Sequence, residues 1–317
     1  MAAATFPGLT DVHAHPAMNA FLWDRDLRRH YCSGRTFNPL ASLSDFKMLE
    51  QGGVKVLWSS LHVPEPPFFG CFLVNVAAHL TSGGRALLKL DSWACLLREM
   101  DEMERQVGRA GDRFALARSN AELDAALAAG RTAIVHTVEG GHVLSAGLAA
   151  DDVGGRLARL GRLADRGVAS LTLAHLFPND LAGHAEAIPA AERTIKLGPI
   201  RLCRFDTGVD PSRGLTPAGR AVVERMVELR MVPDVTHCTR VARQEVYDLV
   251  AGRVPVVASH VGVQTMNDVE YNLDEADVRA IAATGGVVGV IFMPYWLDKA
   301  DPGPGLDAIW RTMDAIR

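Results

Sequence analysis

Short apolar segments alternate with helical patterns along most of the chain, and this alternation restricts the possible folds more than any other feature. Seven segments have the length and apolar content of buried strands, at residues 8–12, 54–61, 132–138, 169–174, 232–236, 254–259 and 286–292. Helical patterns between or after them span residues 96–107, 120–129, 156–166, 217–230, 275–283 and 306–316. Strands that alternate with helices form parallel sheets, so the pattern predicts a (β/α)8 barrel of the TIM type.

The predicted barrel has seven of its eight strands within this sequence, which ends at Arg317. We predict a single domain over residues 1–317, because a barrel accounts for this length and no repeat divides it. The domain is expected to be C-terminally incomplete, with unpaired edges on the first and seventh strands. Residues 62–90 and 176–215 are expected to form long loops that shape access to the active-site end.

Composition restricts the partners and the compartment. The net charge is -4 and no run of lysine or arginine occurs, which disfavours a nucleic-acid binder. No apolar run approaches the ~20 residues that cross a bilayer, and the residues before His13 lack the features of a signal peptide. Five cysteines without a CxxC pair argue against a complete disulfide framework and favour a reducing compartment. We therefore expect a cytoplasmic protein with a small-molecule substrate and no membrane segment.

Polar side chains follow the predicted strands at the end where barrel enzymes carry their catalytic groups. These residues are His13, His15, Glu139, His175, His237 and His260. His13 and His15 are separated by one residue, and side chains alternate along an extended strand, so both point to the same face. The strand ends therefore direct several nitrogen donors and one carboxylate toward a common region.

Histidine nitrogens and carboxylate oxygens are ligands for zinc and similar divalent ions, and two ions ~3.5–4 Å apart can hold a bridging hydroxide. We predict one ion on His13 and His15, a second on His237 and His260, and Glu139 between the two. A carboxylate at the end of an apolar strand is costly to bury unless a cation offsets its charge. The predicted cofactor is therefore a pair of divalent ions, with Zn2+ as the expected metal.

Structural alternatives stay open for these histidines. A single histidine at a strand end is more often hydrogen-bonded within the protein than bound to a metal. For His175, a structural role and contact with substrate or a developing oxyanion are both compatible with the sequence. His136 is expected in the core, and His142 is expected either behind the ligands or in a structural role. No role is assigned to His30, His62, His79 and His184.

Longer sequence blocks resemble the membrane dipeptidase (renal dipeptidase) family of the amidohydrolase superfamily. The blocks are HTVEGGHVL at 136–144, GVASLTLAHLFPNDLA at 167–182, GLTPAGRAVVERMVELRMVPDVTHCT at 214–239, PVVASH at 255–260 and NLDEADVRAIAATGGVVGV at 272–290. They follow the order found in the family and cover most of the chain from about residue 95 onward. The resemblance implies a binuclear zinc hydrolase with a (β/α)8 barrel that cleaves the amide bond of dipeptides or related small molecules.

By position, the resemblance implies the same five metal ligands, and it implies that His175 is catalytic, in contact with substrate and with the tetrahedral intermediate. His15 stands where the family has an aspartate. Tyr271 stands before Asn272 where the family has a substrate-binding arginine, so Tyr271 and Asn272 are expected to bind substrate without a bidentate cation. The family's general base, an aspartate at the end of the eighth strand, lies beyond the predicted strands.

Three functional hypotheses follow. The chain is a metal-dependent hydrolase of the dipeptidase type, a catalytically impaired relative that binds metal or ligand only, or an amidohydrolase that acts on a lactone or a cyclic amide. A homodimer is the default expectation for the assembly.

Overall fold

Strands and helices alternate in the computed structural model, which describes residues 8–31, 44–189, 193–197, 200–298 and 305–317. The strands are β1 (Leu9–Ala14), β2 (Val54–His62), β3 (Phe114–Leu116), β4 (Thr132–Glu139), β5 (Ser170–Thr172), β6 (Thr194–Leu197), β7 (Ile200–Arg204), β8 (Val232–Asp234), β9 (Val257–Val261) and β10 (Val287–Val290). The helices are α1 (Pro16–Trp23), α2 (Phe46–Gln51), α3 (Phe72–His79), α4 (Ser82–Lys89), α5 (Ser92–Arg109), α6 (Asn120–Ala128), α7 (His142–Ser145), α8 (Val153–Asp165), α9 (Pro217–Leu229), α10 (Arg240–Val250), α11 (Glu275–Ala283), α12 (Pro294–Leu297) and α13 (Leu306–Ile316). A 3-10 helix spans Pro66–Gly70.

The central sheet is parallel and has the strand order β1-β2-β4-β5-β8-β9-β10. These are the seven strands predicted from the sequence, and the prediction of a barrel-type α/β fold is confirmed. β3 pairs with the first half of β4 outside this path. The sheet curls into a nearly closed barrel, and in the described part of the chain no strand lies between β10 and β1. Among the described residues, β1 and β10 are therefore the two edges of the sheet.

Capping side chains begin most of the barrel helices. Each accepts a hydrogen bond from a backbone N–H in the first turn, which satisfies one of the donors that a helix start leaves free. The caps are Asp91 for α5, Ser119 for α6, Asp152 for α8, Thr216 for α9, Thr239 for α10 and Asp274 for α11. Of the helices described, none has the length and apolar character needed to cross a bilayer.

The segment 62–90 is largely helical, so the prediction of an extended loop was wrong. Pro66 begins the 3-10 helix, and Thr81 caps α4 by accepting from the Gly84 N–H. Gly83 and Gly84 lie against the backbones of Phe21 and Ala78, where a Cβ atom would overlap with main-chain atoms. Gly83 and Gly84 suggested a loop in the sequence. In the structure they lie in a helix, at positions where it packs closely against other backbone segments. The second predicted loop, 176–215, includes the antiparallel hairpin of β6 and β7.

A disulfide joins Cys71, at the start of α3, to Cys203 in β7. Cys95 and Cys238 are buried thiols, and Cys32 lies outside the described residues. The cysteine count did not predict this pair, because the partners are 132 residues apart and only the fold brings them together. The expected reducing compartment rested on the same cysteine count. The location in the cell stays a prediction.

Gly289 in β10 lies close to the backbone of β9 and to a side chain of β1. A Cβ atom there would overlap with the carbonyl oxygen of Ser259 and lie 2.6 Å from Cγ2 of Val12. Because the backbone of β9 cannot yield without loss of pairing, Gly289→Ala should lower the free energy of unfolding by about 2 kcal/mol or more. Urea denaturation in the presence of a metal chelator measures the change.

The matched control is Gly161→Ala in α8, where an added Cβ meets no atom within 4 Å. This variant should be more stable by about 0.5–1 kcal/mol, since alanine restricts the unfolded chain more than glycine does. Equal effects of the two substitutions would contradict the close packing of β10.

Candidate metal centre

The carboxyl ends of the parallel strands meet around one buried carboxylate, that of Glu139 at the end of β4. The residue is 2% exposed. Its Oε1 lies 3.4 Å from Nε2 of His13, 3.4 Å from Nε2 of His237 and 3.2 Å from Nε2 of His260. Its Oε2 lies 3.3 Å from Nε2 of His15, 3.6 Å from Nδ1 of His62 and 3.6 Å from Nε2 of His175. Six imidazoles therefore face a single carboxylate.

The five predicted ligands come together in the pairs that the sequence suggested. Nε2 of His13 is 3.0 Å from Nε2 of His15, and Nε2 of His237 is 3.0 Å from Nε2 of His260. Glu139 lies within 3.4 Å of all four nitrogens through one or the other oxygen. The two pairs are also adjacent, because the rings of His13 and His260 stack with their centroids 3.7 Å apart.

The spacing of these atoms fits divalent ions. Ligands at 2.0–2.1 Å around a tetrahedral zinc ion stand about 3.3 Å from one another, close to the nitrogen–nitrogen and nitrogen–oxygen distances in the cluster. The tautomer of His15 also agrees with metal binding. His15 Nδ1 faces the carbonyl oxygen of Ser60 at 3.0 Å, and a carbonyl only accepts, so the neutral ring carries its lone pair on Nε2.

Burial keeps most of these imidazoles neutral, as metal ligands must be. It lowers the pKa of His15, lowers that of His13 further, and lowers the pKa of His237 to about 3. For Glu139, burial acts to raise the pKa, but the surrounding histidines, His175 first among them, hold it well below its usual range. The cluster thus presents a carboxylate and neutral nitrogen donors.

His237 also shows backbone strain. Its φ angle is 67°, in the left-handed region that costs a non-glycine residue about 1–3 kcal/mol. Two residues later, Thr239 caps the start of α10. The unusual backbone turn thus lies between the end of β8 and the start of α10, at the residue that carries a predicted ligand. In the described structure, Nδ1 of His237 has no hydrogen-bond partner.

His175 differs from the predicted ligands. Its Nδ1 donates to Oε1 of Glu65 at 2.7 Å, and the same oxygen accepts from the Leu176 N–H at 3.0 Å. Burial acts to lower the pKa of His175, but the carboxylates of Glu139 and Glu65 together raise it to about 9. His175 is therefore arranged as a proton donor whose Nε2 faces the centre.

The structure adds four residues that sequence reasoning missed. His62 ends β2 and lies directly opposite Glu139 in the register, so its strand-end position was an available signal. Glu65 lies three residues farther on and contacts His175. Asp234 ends β8 and Ser259 lies within β9; both lie behind the imidazoles, and no sequence pattern distinguished them.

The predicted substrate contacts differ between Tyr271 and Asn272. Tyr271 lines the cavity beside the centre, its hydroxyl donates to the carbonyl of His260 at 2.7 Å, and its ring stacks on Trp296. Asn272 is fully buried; its amide accepts from the Gly262 N–H and donates to the carbonyls of Asn267 and Trp296. The amide of Asn272 is therefore occupied by backbone partners, and the residue has a structural role instead of the expected contact with substrate.

Two further histidines lie away from the cluster's centre. His136 is fully buried, as expected, but it faces Glu104 on α5 rather than the barrel interior. His142 donates from Nε2 to the carbonyl of Val63 at 3.0 Å and so connects the β4 and β2 ends.

The centre opens into a cavity of about 1130 Å³ between β1 and β10. Leu9 and Val287 line it on the two strand edges, and Met313 and Ile316 of α13 line it from the side. The gap in the barrel is thus continuous with the cluster around Glu139.

Solved structures of similar fold were found. A metallo peptidase from Rhodobacter sphaeroides, liganded with a phosphinate mimic of the dipeptide L-Ala-D-Ala, matches with a TM-score of 0.69 and 19% identity over 98% of this chain and 81% of that one. The probable dipeptidase PvdM from Pseudomonas aeruginosa matches with a TM-score of 0.58 and 21% identity over 83% of this chain and 56% of that one. At these identities the likeness shows the fold.

Curated relatives are similar in sequence. Dipeptidase verJ from Clonostachys rogersoniana is 26% identical over 82% of this chain and 56% of its own length. An uncharacterized dipeptidase, C965.12, from Schizosaccharomyces pombe is 25% identical over 85% of this chain and 55% of its own. This chain spans just over half the length of these two relatives.

A family model settles the relationship. The model of the membrane dipeptidase family, peptidase family M19, matches residues 11–317, which include all the residues of the cluster around Glu139. The chain belongs to the membrane dipeptidase family.

Proposed function

We propose that this chain is a metal-dependent hydrolase that cleaves the amide bond of dipeptides or related small molecules. The observation that carries the proposal is the cluster itself, in which one buried carboxylate faces six imidazole nitrogens at 3.2–3.6 Å. The charged imidazole of this set, His175, faces two carboxylates, those of Glu139 and Glu65. Further cations would therefore stabilise the buried charge and pair with the lone pairs of the neutral imidazoles. Membership of a dipeptidase family supports the reaction class.

We infer a pair of divalent ions, with Zn2+ as the proposed metal. His13 and His15 would hold one ion, His237 and His260 the other, and Glu139 would contribute an oxygen to each side. Bound ions of this type polarise the scissile carbonyl and lower the pKa of a water. The neutral imidazoles supply borderline-soft nitrogen donors, which also accept manganese, iron and cobalt.

His175 is the proposed catalytic side chain. It holds a proton at Nε2, on the side of the cluster that faces the cavity, and Glu65 holds its Nδ1 at 2.7 Å. A donor fixed in this way can stabilise the negative charge that develops on the amide oxygen. Tyr271, on the wall of the cavity, is proposed to contact the substrate. A homodimer remains the proposed assembly.

A second candidate function is metal or ligand binding without turnover. In the described part of the chain, the carboxylates that line the cavity are those of Asp11 and Glu139. Asp298, which follows β10, is buried and its carboxylate is paired with Arg311. Among the described residues, the cavity wall therefore holds no carboxylate besides those of Asp11 and Glu139 that could act as a separate general base. This observation favours the second candidate.

Metal removal and a single isosteric substitution separate the candidates. We expect the chelator-treated protein to regain two equivalents of Zn2+ and to hydrolyse members of a dipeptide panel. Glu139→Gln should lower the metal affinity more than about 100-fold, because it removes the charge shared by both sites. Equilibrium dialysis with elemental analysis measures the metal, and a ninhydrin assay measures hydrolysis.

The control is Glu228→Gln, at an exposed position on α9, which should change neither readout. Two equivalents of metal without hydrolysis of any dipeptide would support the binding function, and hydrolysis of lactones or cyclic amides alone would support the third hypothesis. Retention of metal by the Glu139→Gln variant would contradict the proposed centre.

The ion pair of His175 with Glu65 predicts a shift in the pH profile. Activity that needs a protonated His175 is complete below its pKa and is lost as the pH rises through about 9. Glu65→Gln removes one of the two carboxylates that raise this pKa, so the basic limb of kcat should move to lower pH. At pH 8, kcat should fall by up to about 100-fold while the metal content is unchanged. A basic limb that stays in place would contradict the assigned role of Glu65.

A further inference from the structure

One hydroxyl group lies directly behind two of the proposed ligands. Ser259 Oγ is 2.5 Å from Oδ2 of Asp234, 2.9 Å from Nδ1 of His260 and 3.5 Å from Nδ1 of His13. Asp234 and Ser259 are 3% and 4% exposed, so water does not compete for these contacts. The direction of each hydrogen bond can therefore be worked out from the donors and acceptors present.

Asp234 accepts on both oxygens. Oδ1 accepts from the backbone N–H groups of Thr236 and Ser259 at 3.0 and 3.2 Å, and Oδ2 accepts from the hydroxyls of Thr172 and Ser259 at 2.9 and 2.5 Å. A serine hydroxyl has a single proton, and this one is donated to Asp234. Ser259 can then only accept from His260, which places the imidazole proton on Nδ1 and the lone pair on Nε2.

The same oxygen has a second lone pair, which Nδ1 of His13 approaches at 3.5 Å and the Thr236 hydroxyl at 3.4 Å. His13 belongs to one proposed ion site and His260 to the other, and their rings stack. A single hydroxyl is thus placed to accept from one ligand of each site.

We propose that Asp234 and Ser259 are positioning residues that hold His260, and with it His13, in the tautomer that binds metal. Because the proton of Ser259 is donated to Asp234, the hydroxyl can only accept from His260, which then presents its Nε2 lone pair to the centre. The same oxygen can also accept from Nδ1 of His13, which favours the same tautomer there. The inference rests on the proposed metal centre. The alternative is that Asp234, at the end of β8, only ties this strand to β5 through Thr172 and to β9 through Ser259.

Asp234→Asn separates the two roles. The backbone N–H groups of Thr236 and Ser259 require an oxygen at the Oδ1 position, so the new amide nitrogen must occupy the Oδ2 position. There it donates to Ser259 Oγ, and the serine proton turns toward Nδ1 of His260. The imidazole must then carry its own proton on Nε2, where it blocks the metal. We expect the Zn2+ affinity to fall by about 10- to 100-fold.

Ser259→Ala tests the same proposal by removing the hydroxyl that accepts from His260. Without the hydroxyl, neither tautomer of His260 is imposed, so the loss of Zn2+ affinity should be smaller than for Asp234→Asn. The double variant Asp234→Asn/Ser259→Ala should bind Zn2+ more tightly than Asp234→Asn alone, since the misdirected hydroxyl is gone. Ser259→Thr keeps the hydroxyl and should bind nearly as wild type.

Two readouts on the chelator-treated protein measure these effects. Zn2+ titration against a chromophoric chelator gives the affinities, and 15N shifts of the histidine rings give the tautomer of His260 without any metal. The expected result is Nδ1–H in the wild type and Nε2–H in Asp234→Asn. Thermal unfolding checks that each variant folds, and if Asp234→Asn does not, the comparison of Ser259→Ala with Ser259→Thr decides.

Additive losses in the double variant, or an Nδ1–H tautomer retained in Asp234→Asn, would overturn the proposal in favour of a purely structural role. Failure of the wild type to bind Zn2+ would overturn the proposed function instead. The ring shifts of the metal-free protein would still report whether Asp234 and Ser259 direct the proton.

Discussion

The burial of the Glu139 carboxylate is the constraint on which the rest of the site depends. A charge that is 2% exposed is strongly unfavourable unless hydrogen bonds or cations compensate it. Burial lowers the pKa of the neighbouring His13, His15 and His237 and keeps these imidazoles neutral. His175, with a pKa raised to about 9, instead brings a positive charge, which it shares with Glu65. The side chains nearest to the carboxylate therefore compensate it incompletely, and divalent cations would complete the balance.

A second layer of contacts decides where the protons of these imidazoles lie. The carbonyl of Ser60 accepts from His15, and the hydroxyl of Ser259 is placed to accept from His260. Glu65 performs a different task, because its carboxylate favours the charged form of His175. The proposed ligands His15 and His260 thus have neutral acceptors at Nδ1, whereas the proposed catalytic residue His175 has the carboxylate of Glu65 there. The difference in chemical role follows from the partner of each Nδ1 atom.

The strands and the strand-end ligands were predictable because both depend on local sequence. Apolar runs alternate with capped helices, and parallel strands place their carboxyl ends at one side of the barrel, so His13, Glu139 and His260 had to converge. The helical nature of segment 62–90 was not predictable, since Gly83 and Gly84 are selected by close packing against distant backbone. His62 was overlooked although it ends β2, and its register opposite Glu139 became visible only in the paired sheet.

The sequence by itself determined the parallel α/β architecture, the membership of a dipeptidase-like family and the identity of the five proposed ligands. These depend on periodicity, capping and residue type, which act over short stretches of chain. The tertiary structure decided which partners lie behind the ligands, that Asn272 supports the backbone rather than the substrate, and that Cys71 bonds to Cys203. These features require residues far apart in sequence to be brought within hydrogen-bond or covalent distance, and no local pattern records such distances.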